Sequence, residues 1–129
     1  MPRGRRGRRQ QRRGSGAARM LEPALLLLLH HGAAHGYTLL KQLAEFHLDP
    51  GDPSVVYRAL RDMEDRQWVT STWDDESTQG PPRRVYSLTA LGDHALRQHT
   101  EELTQVRGRI DRLLGAYQQH MEDGEGEHH

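Results

Sequence analysis

The segment DPSVVYRALRDMEDRQWVTSTW, residues 52–73, decides the fold. Asp52 is a residue type that caps helix N-termini, and Pro53 suits a first helical position. The spacing predicts a helix over 53–67. Val56, Leu60 and Met63, at steps of four and three, form an apolar stripe along it. Ser54, Tyr57, Arg58 and Arg61 point elsewhere, so the other side is polar and basic. The period then changes. WVTSTW (68–73) is β-branched and aromatic and reads as a strand. DDESTQGPP (74–82) cannot stay in a ladder, and RRVYSL (83–88) is strand again. Together they predict a hairpin with a polar, Gly/Pro-containing tip.

Working upstream, five consecutive leucines (25–29) predict a helix over 21–31 that is buried on nearly all sides. Pro23 sits where a helix start tolerates it, and Gly32 where a helix stop wants it. A second helix is expected over 36–47, with Tyr37, Leu39, Leu40, Leu43 and Phe46 at helical spacing. LDPGDP (48–53) is a turn cluster. Downstream, Thr89 caps a long helix to about residue 121, and the acidic tail 122–129 is expected to fray. The run PALLLLL (23–29) is far below the ~20 residues a membrane span needs and at the short limit for a signal peptide. With no cysteine there is no disulfide framework and no thiolate chemistry. The chain reads as cytoplasmic, with no membrane partner.

Three short helices followed by a hairpin give a mainly α fold with a small β-hairpin: a winged helix-turn-helix plus a long C-terminal dimerisation helix. The expected divisions are an arm (1–18), the winged domain (19–88), the dimerisation helix (89–121) and the tail. In such an arrangement the third helix enters the DNA major groove and the hairpin, or wing, reaches along the duplex. Arg58 and Arg61 suit guanine edges or phosphates, with Ser54 as a small polar neighbour. Arg83 and Arg84 suit phosphate contact. An ion pair with Asp74 or Asp75 across the hairpin competes with that role.

The segments HGYTLL (35–40), DPSVVYRALRDMEDRQWV (52–69) and PPRRVYSLTALGDHAL (81–96), in that order, resemble the signature segments of PadR-family transcriptional regulators. The resemblance covers about residues 20–118. It implies a winged helix-turn-helix with a dimerisation helix, in the shorter branch that lacks a multi-helix C-terminal domain. It also implies ligand-relieved repression, often of transporter or detoxification genes. By position, Tyr57, Arg58 and Arg61 match the family's recognition helix, and Arg83, Arg84 and Tyr86 match its wing. The first motif adds His35 and Tyr37 to the DNA-facing candidates, with His35 expected to fix the turn between the first two helices. Trp68–Val69 replaces the usual leucine or isoleucine before the wing strand. Related small regulators bind flat aromatic ligands between subunits through an aromatic on the last helix. Here that helix offers only Tyr117, which argues against such a pocket.

The last helix supports a homodimer independently. Leu96, Leu103, Ile110 and Tyr117 recur every seven residues, and His99, Val106, Leu113 and His120 form a second row three residues later. Leucines of the first helix, Leu26 among them, are expected to pack against the partner. A two-fold dimer sets two recognition helices about 34–36 Å apart and predicts a pseudo-palindromic operator in double-stranded DNA.

Charge is strongly segregated. Residues 1–19 carry eight arginines and no acid, whereas the remaining 110 residues carry a net charge of −8. The Arg/Gly arm is expected to be disordered when free. Arg8, Arg9, Arg12 and Arg13 are placed to add phosphate contacts or enter a minor groove. An alternative reading is an RNA-binding or ribosome-associated protein that uses this arm, although no single-strand stacking module is visible.

Nine histidines raise the question of a metal, but no HxxxH or HExxH spacing falls within one predicted helix. His30 and His31 face different sides of their helix. His99 and His120 fall on the seam, where protonation near pH 6 would introduce charge. Wet ends of the seam explain them equally well. Trp68 and Trp73 are expected to serve core and wing packing. No nucleophile–base pair, phosphate loop or metal site is recognisable, so neither catalysis nor a cofactor is expected. The effector, a small molecule among the possibilities, is not encoded in any recognisable motif.

Overall fold

The computed structural model describes residues 15–74 and 83–127. The order is α1 (Ser15–His31), β1 (Ala34–His35), α2 (Gly36–Glu45), α3 (Pro53–Asp65), β2 (Val69–Asp74), β3 (Arg83–Leu88) and α4 (Ala90–Glu127). The molecule is mostly helical, with a three-stranded antiparallel sheet in the order β1-β3-β2. Trp73 lies opposite Arg84, and Asp74 opposite Arg83.

The helices form where burial and capping agree. Leu21, Leu25, Leu26, Leu28 and Leu29 bury one broad side of α1, but Leu27 is 40% exposed, so the helix is not covered on nearly all sides, contrary to expectation. The buried leucines meet Leu39 and Leu43 of α2, Val56, Leu60 and Met63 of α3, and Val69 and Tyr86 of the sheet. Asp52 caps α3 as expected, accepting a hydrogen bond from the Ser54 backbone N–H at 3.0 Å. Thr89 caps α4: its Oγ1 accepts from the Gly92 N–H at 2.9 Å.

Several expected boundaries shift. Helix α1 starts at Ser15 rather than residue 21, so Pro23 lies inside it, buried, and residues 15–18 belong to the helix rather than the arm. The segment AARML (17–21) is rich in good helix formers, and burial of the leucines that follow offsets the missing proline N–H. Helices α2 and α3 each end two residues early. His47 (φ 60°) and Gln67 (φ 66°) take left-handed backbone there. The N–H groups of Leu48 and Trp68 bond back to the carbonyls of Leu43 and Met63. The hairpin gains a third strand, β1, with Ala34 paired to Tyr86 and His35 to Val85. Helix α4 runs on through Glu127, where a frayed tail was expected. No proline interrupts it, and each glycine there costs only about 1 kcal/mol.

The chain divides into two compact units, one ending at Leu96 and one beginning at Arg97. The first two turns of α4 belong with the winged unit because Ala95 and Leu96 are buried in its core. No described helix is long and apolar enough to cross a membrane.

Candidate nucleic-acid interface

Helix α3 has two unlike sides. Val56, Leu60 and Met63 are fully buried, whereas Ser54, Arg58 and Arg61 are exposed and Tyr57 is 39% exposed. The buried side fixes the helix to the domain, and long cationic donors remain on the other. Beside it lies an open cleft of about 440 Å³ lined by His35, Gly36, Tyr37, Tyr57, Arg83, Arg84 and Tyr86. Five candidates from three sequence segments therefore converge: His35, Tyr37, Tyr57, Arg83 and Arg84. Ser54, Arg58 and Arg61 lie outside this lining. Arg8, Arg9, Arg12 and Arg13 lie outside the described residues.

The elements around the cleft are tied together by polar contacts. His35 Nε2 lies 3.0 Å from Asp74 Oδ2, joining the α1–α2 connection to the wing. Ser71 Oγ donates to Glu64 Oε2 at 2.7 Å and accepts from Arg84 Nη1 at 2.6 Å. The Arg84 guanidinium stacks 4.6 Å from the Trp73 ring centre. Arg84 is thus engaged by a serine and a tryptophan, and Asp75 lies outside the described residues. Trp68 is half-buried against the core with Arg66 stacked on it, and Trp73 is 56% exposed. Burial, and secondarily the Glu64 carboxylate, raise the Tyr86 phenol above its usual pKa, so its hydroxyl stays protonated. Lys41 lies 5.7 Å over Tyr37.

Sequence reasoning missed the parts played here by Gly36, Glu64 and Ser71. A methyl group on Gly36 would meet the Tyr57 ring, so the glycine lets that ring lie against the start of α2. The Ser71–Glu64 contact joins α3 to the wing, and no sequence spacing announces it. The Trp73–Arg84 pair follows only once the hairpin register is known.

The seam candidates separate into two groups. Leu26 and Leu96 are buried in the chain's own core, at 0% and 7% exposure, and so are not available to a partner. Leu27 (40%) and Met20 (36%) are large apolar residues left exposed on α1. His99, Leu103 and Val106 are half-buried, while Ile110, Leu113, Tyr117 and His120 are exposed. Leu114 and Met121, missed by a strict two-row reading, are also exposed and widen the stripe. His30 sits 3.2 Å from Asp93, linking α1 to α4. Among the described residues, no group of three or more His, Cys, Asp or Glu is placed to hold a metal ion.

The profile of the transcriptional regulator PadR-like family matches residues 25–98. A PadR-like transcription factor from Bacteroides fragilis is 28% identical over 84% of this chain and 98% of its own, with a TM-score of 0.64. A PadR family transcriptional regulator from Eggerthella lenta is 28% identical over 70% of this chain and 80% of its own, with a TM-score of 0.59. A PadR family transcription regulator from Clostridium difficile, 23% identical, shares the fold over 73% of this chain and 97% of its own, with a TM-score of 0.64. No curated protein matches the chain. The family profile spans more than half of the sequence and contains α3, the wing and the cleft between them, and the chain belongs to the PadR-like family of transcriptional regulators.

Proposed function

We propose that this chain is a sequence-specific reader of double-stranded DNA. In this reading it acts in the cytoplasm as a homodimeric repressor that a small-molecule effector releases from a pseudo-palindromic operator. The observation that carries the reading is α3: fully buried Val56, Leu60 and Met63 on one side, and exposed Ser54, Tyr57, Arg58 and Arg61 on the other. A major-groove helix needs that division, one side to hold it and one to read. The neighbouring arginines Arg83 and Arg84 suit phosphates along the same duplex. The exposed apolar stripe on the second unit supports pairing with a second copy. Repression and effector release follow the family's habit.

The test is fluorescence anisotropy with the chain's own upstream DNA, a scrambled duplex and a structured RNA, across a salt series. Full-length protein is compared with a deletion of residues 1–14. Selective, saturable duplex binding that survives the deletion with a shallower salt slope supports the reading. Non-selective binding that vanishes with the arm, or preference for RNA, overturns it.

A further inference from the structure

We propose that Trp73 and Ser71 are positioning residues for Arg84, holding its guanidinium as a preset phosphate contact on the wing. The inference rests on the reading of the wing as a DNA-facing element. An arginine on an exposed strand normally samples many rotamers and loses that freedom on binding. Arg84 is held instead on two sides. Its guanidinium carbon stands 4.6 Å from the Trp73 ring centre, and Nη1 donates to Ser71 Oγ at 2.6 Å. Trp73 lies directly opposite Arg84 in the β2–β3 ladder, so the stack follows from the strand register.

Ser71 is itself anchored. Its hydroxyl donates to Glu64 Oε2 on α3 at 2.7 Å, leaving an oxygen lone pair for Arg84. The chain Glu64–Ser71–Arg84 therefore references the wing cation to the helix that carries Tyr57, Arg58 and Arg61. The serine also stands between the acid and the base, so in these contacts the carboxylate orients the guanidinium without occupying its fork. Only one of five guanidinium N–H groups is taken by Ser71, and Arg84 is exposed and lines the cleft. This accounts for a tryptophan left 56% exposed on a short hairpin: it serves as a platform.

Two measurements decide it. The first needs no DNA. In a Trp68→Phe background, where Trp73 is the only tryptophan, Arg84→Ala changes the Trp73 emission if the stack exists. Unchanged emission overturns the platform. The second measures anisotropy on a duplex from the upstream region over a salt series. Arg84→Ala lowers the log–log salt slope by about 0.9 per chain, whereas Trp73→Leu keeps the charge and the slope, weakens binding severalfold, and has no further effect in the double variant. Trp73→Phe keeps an affinity close to wild type, and thermal melts confirm that each variant is folded. An additive double variant means that Trp73 touches DNA itself, and wild-type affinity in Trp73→Leu means that the stack does not position Arg84; either result overturns the proposal. If Arg84→Ala alone leaves affinity and slope unchanged while selective binding persists, the phosphate role of the wing fails. That result is distinct from failure of the platform. Should Trp73→Leu not fold, Ser71→Ala takes its place, with weaker binding expected in the wild-type background and no further loss in the Arg84→Ala background; wild-type affinity or an additive loss overturns the proposal.

Discussion

Tyr57 on α3 rests against the backbone of Gly36, the first residue of α2. A methyl group built on Gly36 would stand 2.5 Å from Cε1 of the ring and 3.3 Å from its hydroxyl oxygen. The ring is partly exposed, so it can swing aside at modest cost to the fold. Gly36→Ala should change stability by less than about 1 kcal/mol while displacing a side chain proposed to face DNA. Operator affinity should fall in the single variant. In a Tyr57→Ala background the same substitution should have no further effect, because the two share one contact. A double-mutant cycle read by anisotropy checks this, and strictly additive losses would show that Gly36 does not act through Tyr57.

Two glycines of α4 should respond to alanine with opposite signs. At Gly92 an added Cβ would run into the carbonyl oxygen of Trp68, with Leu88 Cδ1 also 2.7 Å away. The Trp68 carbonyl cannot move freely, since it also accepts from the Thr89 N–H at 3.0 Å. Gly92→Ala should therefore destabilise the winged unit by about 1–3 kcal/mol, despite alanine's higher helix propensity. At Gly115 nothing lies within 4 Å of an added Cβ. There the propensity gain should stand alone, at up to about 1 kcal/mol. Urea unfolding of the two variants separates the effects, and a destabilised Gly115→Ala would contradict the open surroundings.

The contrast between these glycines reflects what was legible in the sequence. Apolar spacing at Val56, Leu60 and Met63 located the core side of α3, and Asp52–Pro53 located its start, because caps and stripes are local signals. The ends of α2 and α3 were not legible. They stop at His47 and Gln67, left-handed residues that carry no glycine signal. Strand β1 was missed because two residues cannot display an alternation, and its pairing with β3 is a tertiary event. For the same reason Leu26 and Leu96 read as partner-facing. Periodicity marks an apolar side, but not which surface covers it. The cleft was half legible: its arginines and tyrosines stood out by type, whereas the Ser71–Glu64 link required the wing to be folded onto α3.

Asp52 gives a pH prediction. Its carboxylate accepts the Ser54 backbone hydrogen bond, and this bond, followed by the Ser54 hydroxyl, holds its pKa below the usual carboxylate value of about 3.9. A pKa lowered by folding means stability that is present above the unfolded value and is lost as pH falls through the folded one. The contribution of this cap should thus be intact at neutral pH and disappear only below about pH 4. Asp52→Asn keeps an acceptor for the helix N-terminus but removes the titration. The difference in thermal midpoint between wild type and Asp52→Asn should be constant from pH 5 to 7 and narrow in more acidic solution. A gap that widened on acidification would contradict the sign.

The division of apolar residues between core and stripe predicts two separable phenotypes. Leu26 is fully buried among the leucines of its own chain, so Leu26→Ala should cost about 2–5 kcal/mol, with the same cost at every protein concentration that leaves the oligomeric state unchanged. Leu113 is 70% exposed, and Ile110, Leu114 and Tyr117 nearby are 49–62% exposed. Because most of Leu113 is exposed, a charge there disturbs little within the described chain. If a second copy covers this stripe, Leu113→Glu must bury an unpaired carboxylate in the pair. Sedimentation equilibrium should then show the variant dissociating at concentrations where wild type is dimeric, with the winged unit still folded by near-UV circular dichroism. Operator affinity should fall with it, because one recognition helix alone reads half of a two-fold site. A Leu113→Glu protein that remained dimeric would place the partner elsewhere, and the exposed Leu27 and Met20 on α1 would be the next surface to alter.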